Sequence, residues 1–252
     1  METILSGIVI VCGAALINFI ATKIYNYFTD KSKNFLWQES SVFNLRKLST
    51  NYDFQELKKR IRIVVIDDEE EGFPVNIFQS EGYAIDKWKT VTDYGKLESG
   101  FYDIIVLDIK GVAQHISKDD GLGVLESLKR NNPAQIIIAY SQHSYDLDKA
   151  KFWELADEKI AKPSDFLKMK RSIDNLIINK FKPERYLDTL QQILRKNKVP
   201  NNEIRKVNSI INKSIKHKET PDWENKLNWS VRNTELINQI KIITNTVFKF
   251  FR

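Results

Sequence analysis

Four short runs of apolar residues constrain this chain most: IRIVVI (61–66), YDIIVL (102–107), QIIIAY (135–140) and EKIA (158–161). Each ends on polar chemistry, with Asp67 and Asp68 after the first, Asp108 after the second, Ser141 after the third and Lys162–Pro163 after the fourth. Runs this short and this rich in Ile and Val read as parallel strands buried on both faces. In an open α/β sheet, ligand chemistry collects outside the carboxyl ends of the strands. Three carboxylates, one hydroxyl and one ammonium at that rim would make a cation-assisted phosphoryl-acceptor site.

Residues 61–178 resemble the receiver domain of two-component response regulators. The resemblance rests on the five polar residues Asp67, Asp68, Asp108, Ser141 and Lys162 in this order, on ADEKIAKP (156–163) and on GLGVLESLK (121–129). It implies a flavodoxin-like, doubly wound α/β fold with a five-stranded parallel sheet. It further implies that Asp67 and Asp68, with Asp108 and the backbone carbonyl of Lys110, hold Mg²⁺. Asp108 would then accept a phosphoryl group from a histidine kinase or another phosphodonor, and Ser141 and Lys162 would grip the phosphoryl oxygens. Two departures stand out. The connection IKGVAQHISKDD (109–120) is about five residues longer than the family's usual one, and Lys159 occupies the place where many receivers carry a switch Tyr or Phe. Tyr140, Phe152 and Trp153 are the aromatics available to substitute, or else they are core packing.

The residue types make chemical sense apart from any family. Mg²⁺ favours near-octahedral oxygen ligands and keeps several waters, so one or two carboxylates plus phosphate oxygens suit it. Carboxylates packed together repel and raise one another's pKa. A metal and Lys162 offset that repulsion and keep Asp108 ionised as a nucleophile. Phosphoryl transfer then needs mainly positioning and neutralisation of the equatorial oxygens.

No charged residue occurs from Thr3 to Thr22, and about 20 apolar residues suffice to span a bilayer. The sequence therefore predicts an anchor at 1–24 and a juxtamembrane helical linker at 25–60. Lys23, Lys31, Lys33 and Arg46 follow the apolar run, which places the amino terminus outside and the rest in the cytoplasm at the cell inner membrane. A buried core helix or a membrane-surface helix is the competing reading. Cys12, the single cysteine, excludes an intrachain disulfide and a Cys-based metal site.

Beyond the receiver-like part, residues 179–252 read as all-α, with helices opening near Pro183, Pro200 and Pro221. Strand and turn signals of a winged helix are few. Residues 166–252 carry 19 Lys and Arg against 8 Asp and Glu, an excess of 11 in a chain whose net charge is +6. That excess suits a nucleic-acid backbone, an anionic membrane surface or an acidic partner such as the receiver itself. Absence of a reading helix argues against sequence-specific DNA binding. Ile242, Ile243, Val247, Phe248, Phe250 and Phe251 beside Lys241, Lys249 and Arg252 fit either a membrane-surface helix or a packed bundle. His115, His143 and His217 show no metal-ligand spacing, and no enzyme signature is found.

These observations point to a non-enzymatic, membrane-anchored receiver that takes a phosphoryl group on Asp108. Its helical region would switch contacts with itself, an unidentified downstream protein or a second copy. A receiver-like scaffold that is never phosphorylated, and a membrane-acting helical effector, stay open.

Overall fold

The computed structural model describes residues 54–142, 150–227 and 233–250. Its frame is a five-stranded, all-parallel sheet in the order β2-β1-β3-β4-β5. The strands are β1 (Arg62–Ile66), β2 (Ala84–Trp88), β3 (Ile104–Leu107), β4 (Ile136–Ser141) and β5 (Glu158–Ala161). Every residue of β3 and β4 is buried, as is all of β1 after Arg62. Continuous Ile/Val runs can be covered on both faces only in the middle of such a sheet.

Strand periodicity sorts the core into two layers, because alternate side chains point to opposite faces. On one face Ile63, Val65, Ile104, Val106, Ile136, Ile138 and Tyr140 form one cluster. It is covered by helices α1 (Phe54–Arg60), α2 (Val75–Ser80) and α6 (Phe166–Lys180). On the other face Val64, Ile66, Ile105, Leu107, Ile137 and Ala139 meet α3 (Tyr94–Glu98), α4 (Asp120–Asn131) and α5 (Ala150–Leu155). Phe152 and Trp153 lie buried in this second layer, so both serve as core. Local caps fix several starts. Asp93 accepts from Lys96 N at 3.0 Å ahead of α3, and Asp165 from Lys168 N at 2.9 Å ahead of α6.

After α6 come α7 (Pro183–Lys196), α8 (Asn201–His217), α9 (Trp223–Lys226) and α10 (Thr234–Lys249). Proline opens α7 and caps α8, as the sequence predicts. The expected single helix from Pro221 is instead divided. Leu227 ends α9 in extended backbone, and the Asn233 side chain accepts from Glu235 N at 3.0 Å to start α10. One apolar cluster runs from Ile61 through Leu190, Ile204, Val207 and Ile240 to Phe250, so these helices extend the first layer of the sheet's core.

Polar contacts place this helical region at the amino ends of the strands. Lys249 Nζ reaches Asp103 Oδ1 at 2.7 Å, just ahead of β3. Arg185 donates to the Ala134 carbonyl at 3.0 Å, ahead of β4. Ahead of β5, Arg185 of α7 approaches Asp157 at 3.6 Å, beside Lys129 of α4 at 2.6 Å and Lys180 of α6 at 3.0 Å. Burial works to raise the Asp157 carboxyl, but these cations prevail and hold it below its ordinary value. The acid-bearing carboxyl rim is at the other end.

The membrane placement is corrected. Among the described residues no helix is long and apolar enough to cross a membrane. The longest, α8, has 17 residues and is apolar along one face only, short of the roughly 20 apolar residues a span needs. The expected anchor at 1–24, the linker up to residue 53, Cys12 and His143 lie outside the described residues. Ile243, Val247, Phe248 and Phe250 are buried in the shared core, which removes them from any membrane surface.

A shared core makes one energetic prediction. Ile240→Ala, at a fully buried position in α10, is expected to cost about 2–5 kcal/mol. Urea unfolding followed by far-ultraviolet circular dichroism should show one shifted transition, with no separate melting of the helical region.

Candidate phosphoryl-acceptor site

Each strand delivers its polar residue at the same rim. Asp67 directly follows β1, Asp108 follows β3, Ser141 closes β4 and Lys162 follows β5. Parallel pairing in register carries these ends side by side, with Ile66 opposite Leu107 and Ser141 opposite Ala161. The expected cluster forms, since one oxygen from each of Asp67, Asp68 and Asp108 lies within 4.8 Å of the others. Asp67 and Asp108 are buried, while Asp68 is exposed.

Lys162 ties the cluster together. Its Nζ lies 2.7 Å from Asp67 Oδ1, 2.5 Å from Asp108 Oδ2 and 3.5 Å from Glu69 Oε2. Burial by itself would lower the lysine's pKa, but the hydrogen bonds and charges of Asp108 and Asp67 outweigh it. The ammonium is held above its usual value. Ile109 N donates to Asp108 Oδ1 at 2.6 Å, and Lys162 N donates to the Ser141 carbonyl at 3.0 Å, so both ends of the cluster are held by backbone. The Lys162–Pro163 peptide is cis.

The donor set fits a divalent cation. Asp67 Oδ2 is buried and has no hydrogen-bond partner among the described residues, and an orphaned carboxylate oxygen inside a protein calls for a cation or water. Two buried carboxylates, one exposed one and a rim open to water match what Mg²⁺ accepts. Lys110, two residues past Asp108, has an exposed side chain.

Sequence reasoning missed what shapes the long connection 109–119. The Asp120 carboxylate accepts from Gly111 N and Ala113 N, both at 2.6 Å, and so closes the loop onto the start of α4. Val112 and Ala113 are buried beneath it, and Val91 N donates to the Val112 carbonyl at 2.8 Å. His115 meets the Val91 carbonyl at 2.9 Å, a structural contact. Two glycines permit this packing. Gly111 has φ +79°, and a Cβ there would stand 2.3 Å from Asp68 Oδ2. A Cβ on Gly121 would stand 2.1 Å from the Asp108 carbonyl oxygen. The usable signal was DDG at 119–121, an acidic helix start followed by glycine. Glu69 was also missed, although it directly follows the acidic pair. It accepts from Gln142 Nε2 at 2.7 Å, linking the β1 and β4 ends.

Lys159 is exposed on β5. Tyr140 is buried, its ring 4.8 Å from Lys162 Nζ and 5.4 Å edge-on to Phe73, and its hydroxyl donates to the Gly72 carbonyl. Burial pushes its phenol up to about 12. Tyr140 is thus the aromatic in contact with the charged cluster.

Comparison with protein families and with curated proteins finds no match. Solved structures similar to this chain are response regulator receiver domains. One, a CheY-like receiver domain protein from Methanospirillum hungatei JF-1, is 21% identical over 48% of this chain and 95% of that one, with a TM-score of 0.41. The beryllofluoride-activated NtrC4 receiver domain dimer is 27% identical over 47% and 98%, at 0.40. TrrA from Thermotoga maritima, in complex with Mg²⁺ and BeF, is 27% identical over 46% and 98%, at 0.36.

Two outcomes follow from the geometry. Gly111→Ala is expected to push Asp68 aside and weaken Mg²⁺ binding about tenfold or more, read by calorimetric titration. Lys162→Met strips the buried acids of their counter-charge and is expected to cost about 3 kcal/mol at neutral pH in urea unfolding. A lysine whose folded pKa is raised contributes stability below its free value of 10.5 and loses it as pH rises through the raised value. On the alkaline side the gap between wild type and Lys162→Met should therefore begin to close above pH 10.5.

Proposed function

We propose that the chain is a phosphoryl-accepting receiver that signals through a two-component phosphorelay rather than acting as an enzyme. The observation that carries this reading is the buried Lys162 ammonium held between Asp67 and Asp108, with Asp68 completing the acid cluster. Asp67, Asp68, Asp108 and the Lys110 carbonyl would hold Mg²⁺. When bound, the metal neutralises phosphoryl oxygens and withdraws charge from the acids.

The chain's own groups account for the rest. An Asp108 carboxylate oxygen attacks phosphorus, and the bond from phosphorus to the donor nitrogen or oxygen breaks. The electron pair leaves with the donor atom, and an acyl phosphate remains. Lys162, released from Asp108 Oδ2, turns its charge to a phosphoryl oxygen, and Ser141 donates a hydrogen bond to another. Ile109 N keeps its grip on the second carboxylate oxygen throughout. The donor is a histidine kinase or a small phosphorylated compound. The added charge biases the loops around Glu69, Gln142 and Tyr140 between two arrangements. The change reaches a downstream protein or a second copy of the chain.

The second reading, a receiver-like scaffold that is never phosphorylated, draws on the Glu69–Gln142 link across the site and the long loop closed by Asp120. One experiment separates the two. The full chain incubated with acetyl phosphate and Mg²⁺ is expected to form an adduct, seen by intact-mass spectrometry and released by hydroxylamine. Asp108→Asn should abolish it, and removal of Mg²⁺ by chelation should do the same. A chain that stays unmodified under these conditions leaves the scaffold reading standing.

A further inference from the structure

The basic excess of the C-terminal helices has no role at the acid cluster, and the structure narrows what it serves. Helix α8 exposes a stripe at four-residue spacing, Asn201, Arg205, Ser209, Lys213 and His217, positions that stack along one side of a helix. The apolar residues Ile204, Val207 and Ile211 face the core, and so does the helix's one carboxylate, Glu203. Exposed Lys196, Lys198 and Lys218 flank the stripe at its two ends. None of Lys196, Lys198, Arg205, Lys213 and Lys218 has an ion-pair partner among the described residues.

Three occupants were open on sequence grounds. Docking on the receiver's own acids is opposed by position, because the run at 67–71 belongs to the carboxyl rim and the helical region docks at the amino ends. Nor do the remaining stretches neutralise the stripe. Residues 1–53 contain five Lys and Arg against four Asp and Glu, and residues 143–149 are net −1. A lipid surface is opposed by composition, since no large apolar side chain is exposed on α8 and interfacial helices insert one. A folded acidic partner normally offers pockets for aromatic or Arg anchors with apolar surroundings, and this face is polar throughout. Arg, Lys, Asn and Ser side chains are the groups that contact phosphates and sugars of a nucleic-acid backbone. Arg205 and Lys213 are about 12 Å apart along the helix axis at 1.5 Å per residue, a span that covers neighbouring phosphates.

We propose that the α8 stripe and its flanking lysines bind the phosphate backbone of nucleic acid without reading its sequence. The test uses the full chain and fluorescein-labelled 20-mer duplexes of two unrelated sequences, followed by anisotropy across a salt series. Equal affinity for both duplexes is expected. For about four phosphate contacts, binding should weaken roughly a hundredfold between about 50 and 200 mM salt. Arg205→Glu with Lys213→Glu should lose about tenfold or more. Lys168→Glu with Arg171→Glu, the same charge change on exposed residues of α6, should lose less than about threefold. Circular dichroism melts should match wild type for both pairs. Equal loss from both pairs, no binding at low salt, or a preference for one duplex would each overturn the proposal. Binding to phosphatidylglycerol vesicles but not to the duplexes would overturn it in favour of a lipid surface. The outcome is independent of whether Asp108 is phosphorylated.

Discussion

A single buried ammonium lets three acids share the end of this sheet. Asp67 and Asp108 lie where water is largely excluded, and carboxylates in such a place repel strongly unless a cation stands between them. Lys162 supplies that cation at hydrogen-bonding distance from both. Its reach depends on β5 pairing with β4, because the backbone of Lys162 bonds to Ser141. The sheet's edge strand therefore sets the charge balance at its centre. The unpartnered Asp67 oxygen marks where that balance is incomplete and where a divalent cation has a reason to bind.

The rest of the fold separates that charged rim from the helical region. Alternation along β1, β3 and β4 divides the apolar side chains between two layers, and only one layer continues into α7, α8 and α10. Of those helices, α7 and α10 are pinned at the amino ends of the strands, Arg185 to Ala134 and Asp157 and Lys249 to Asp103. A signal generated among the acids would have to cross the length of the sheet or travel through α6, which packs in the shared layer. Tyr140 sits in that layer with its ring against Lys162, so it touches both the charges and the core. The molecule gathers Asp67, Asp68 and Asp108 at the carboxyl rim and exposes Arg205 and Lys213 on α8.

Much of this could be read before any coordinates. The strands β1, β3 and β4 announce themselves as unbroken Ile/Val runs, which only a doubly covered sheet can bury. By contrast, β2 was not picked out, because AIDKW alternates and is half-exposed at the edge. The acids, Ser141 and Lys162 were legible from their place after the runs. Asp120 was not, because its task is to gather amides of a loop whose path the sequence does not give. The apolar face of the last helix looked equally suited to a membrane or a bundle; burial against Phe181 and Tyr186 decided for the bundle. The uncharged stretch from Thr3 to Thr22 predicts an inner-membrane location, whereas among the described residues no helix is long and apolar enough to cross a membrane.

The order of residue types along the chain thus determined the sheet, its burial and the chemical inventory of its rim, because strand burial and the polar step at each strand end are local patterns. Tertiary structure alone decided which oxygen of each acid meets Lys162, how the long connection folds back onto α4, and where the basic helices dock. Those outcomes depend on contacts between residues far apart in sequence, such as Lys162 with Asp67 and Lys249 with Asp103. No local pattern encodes a distance of that kind.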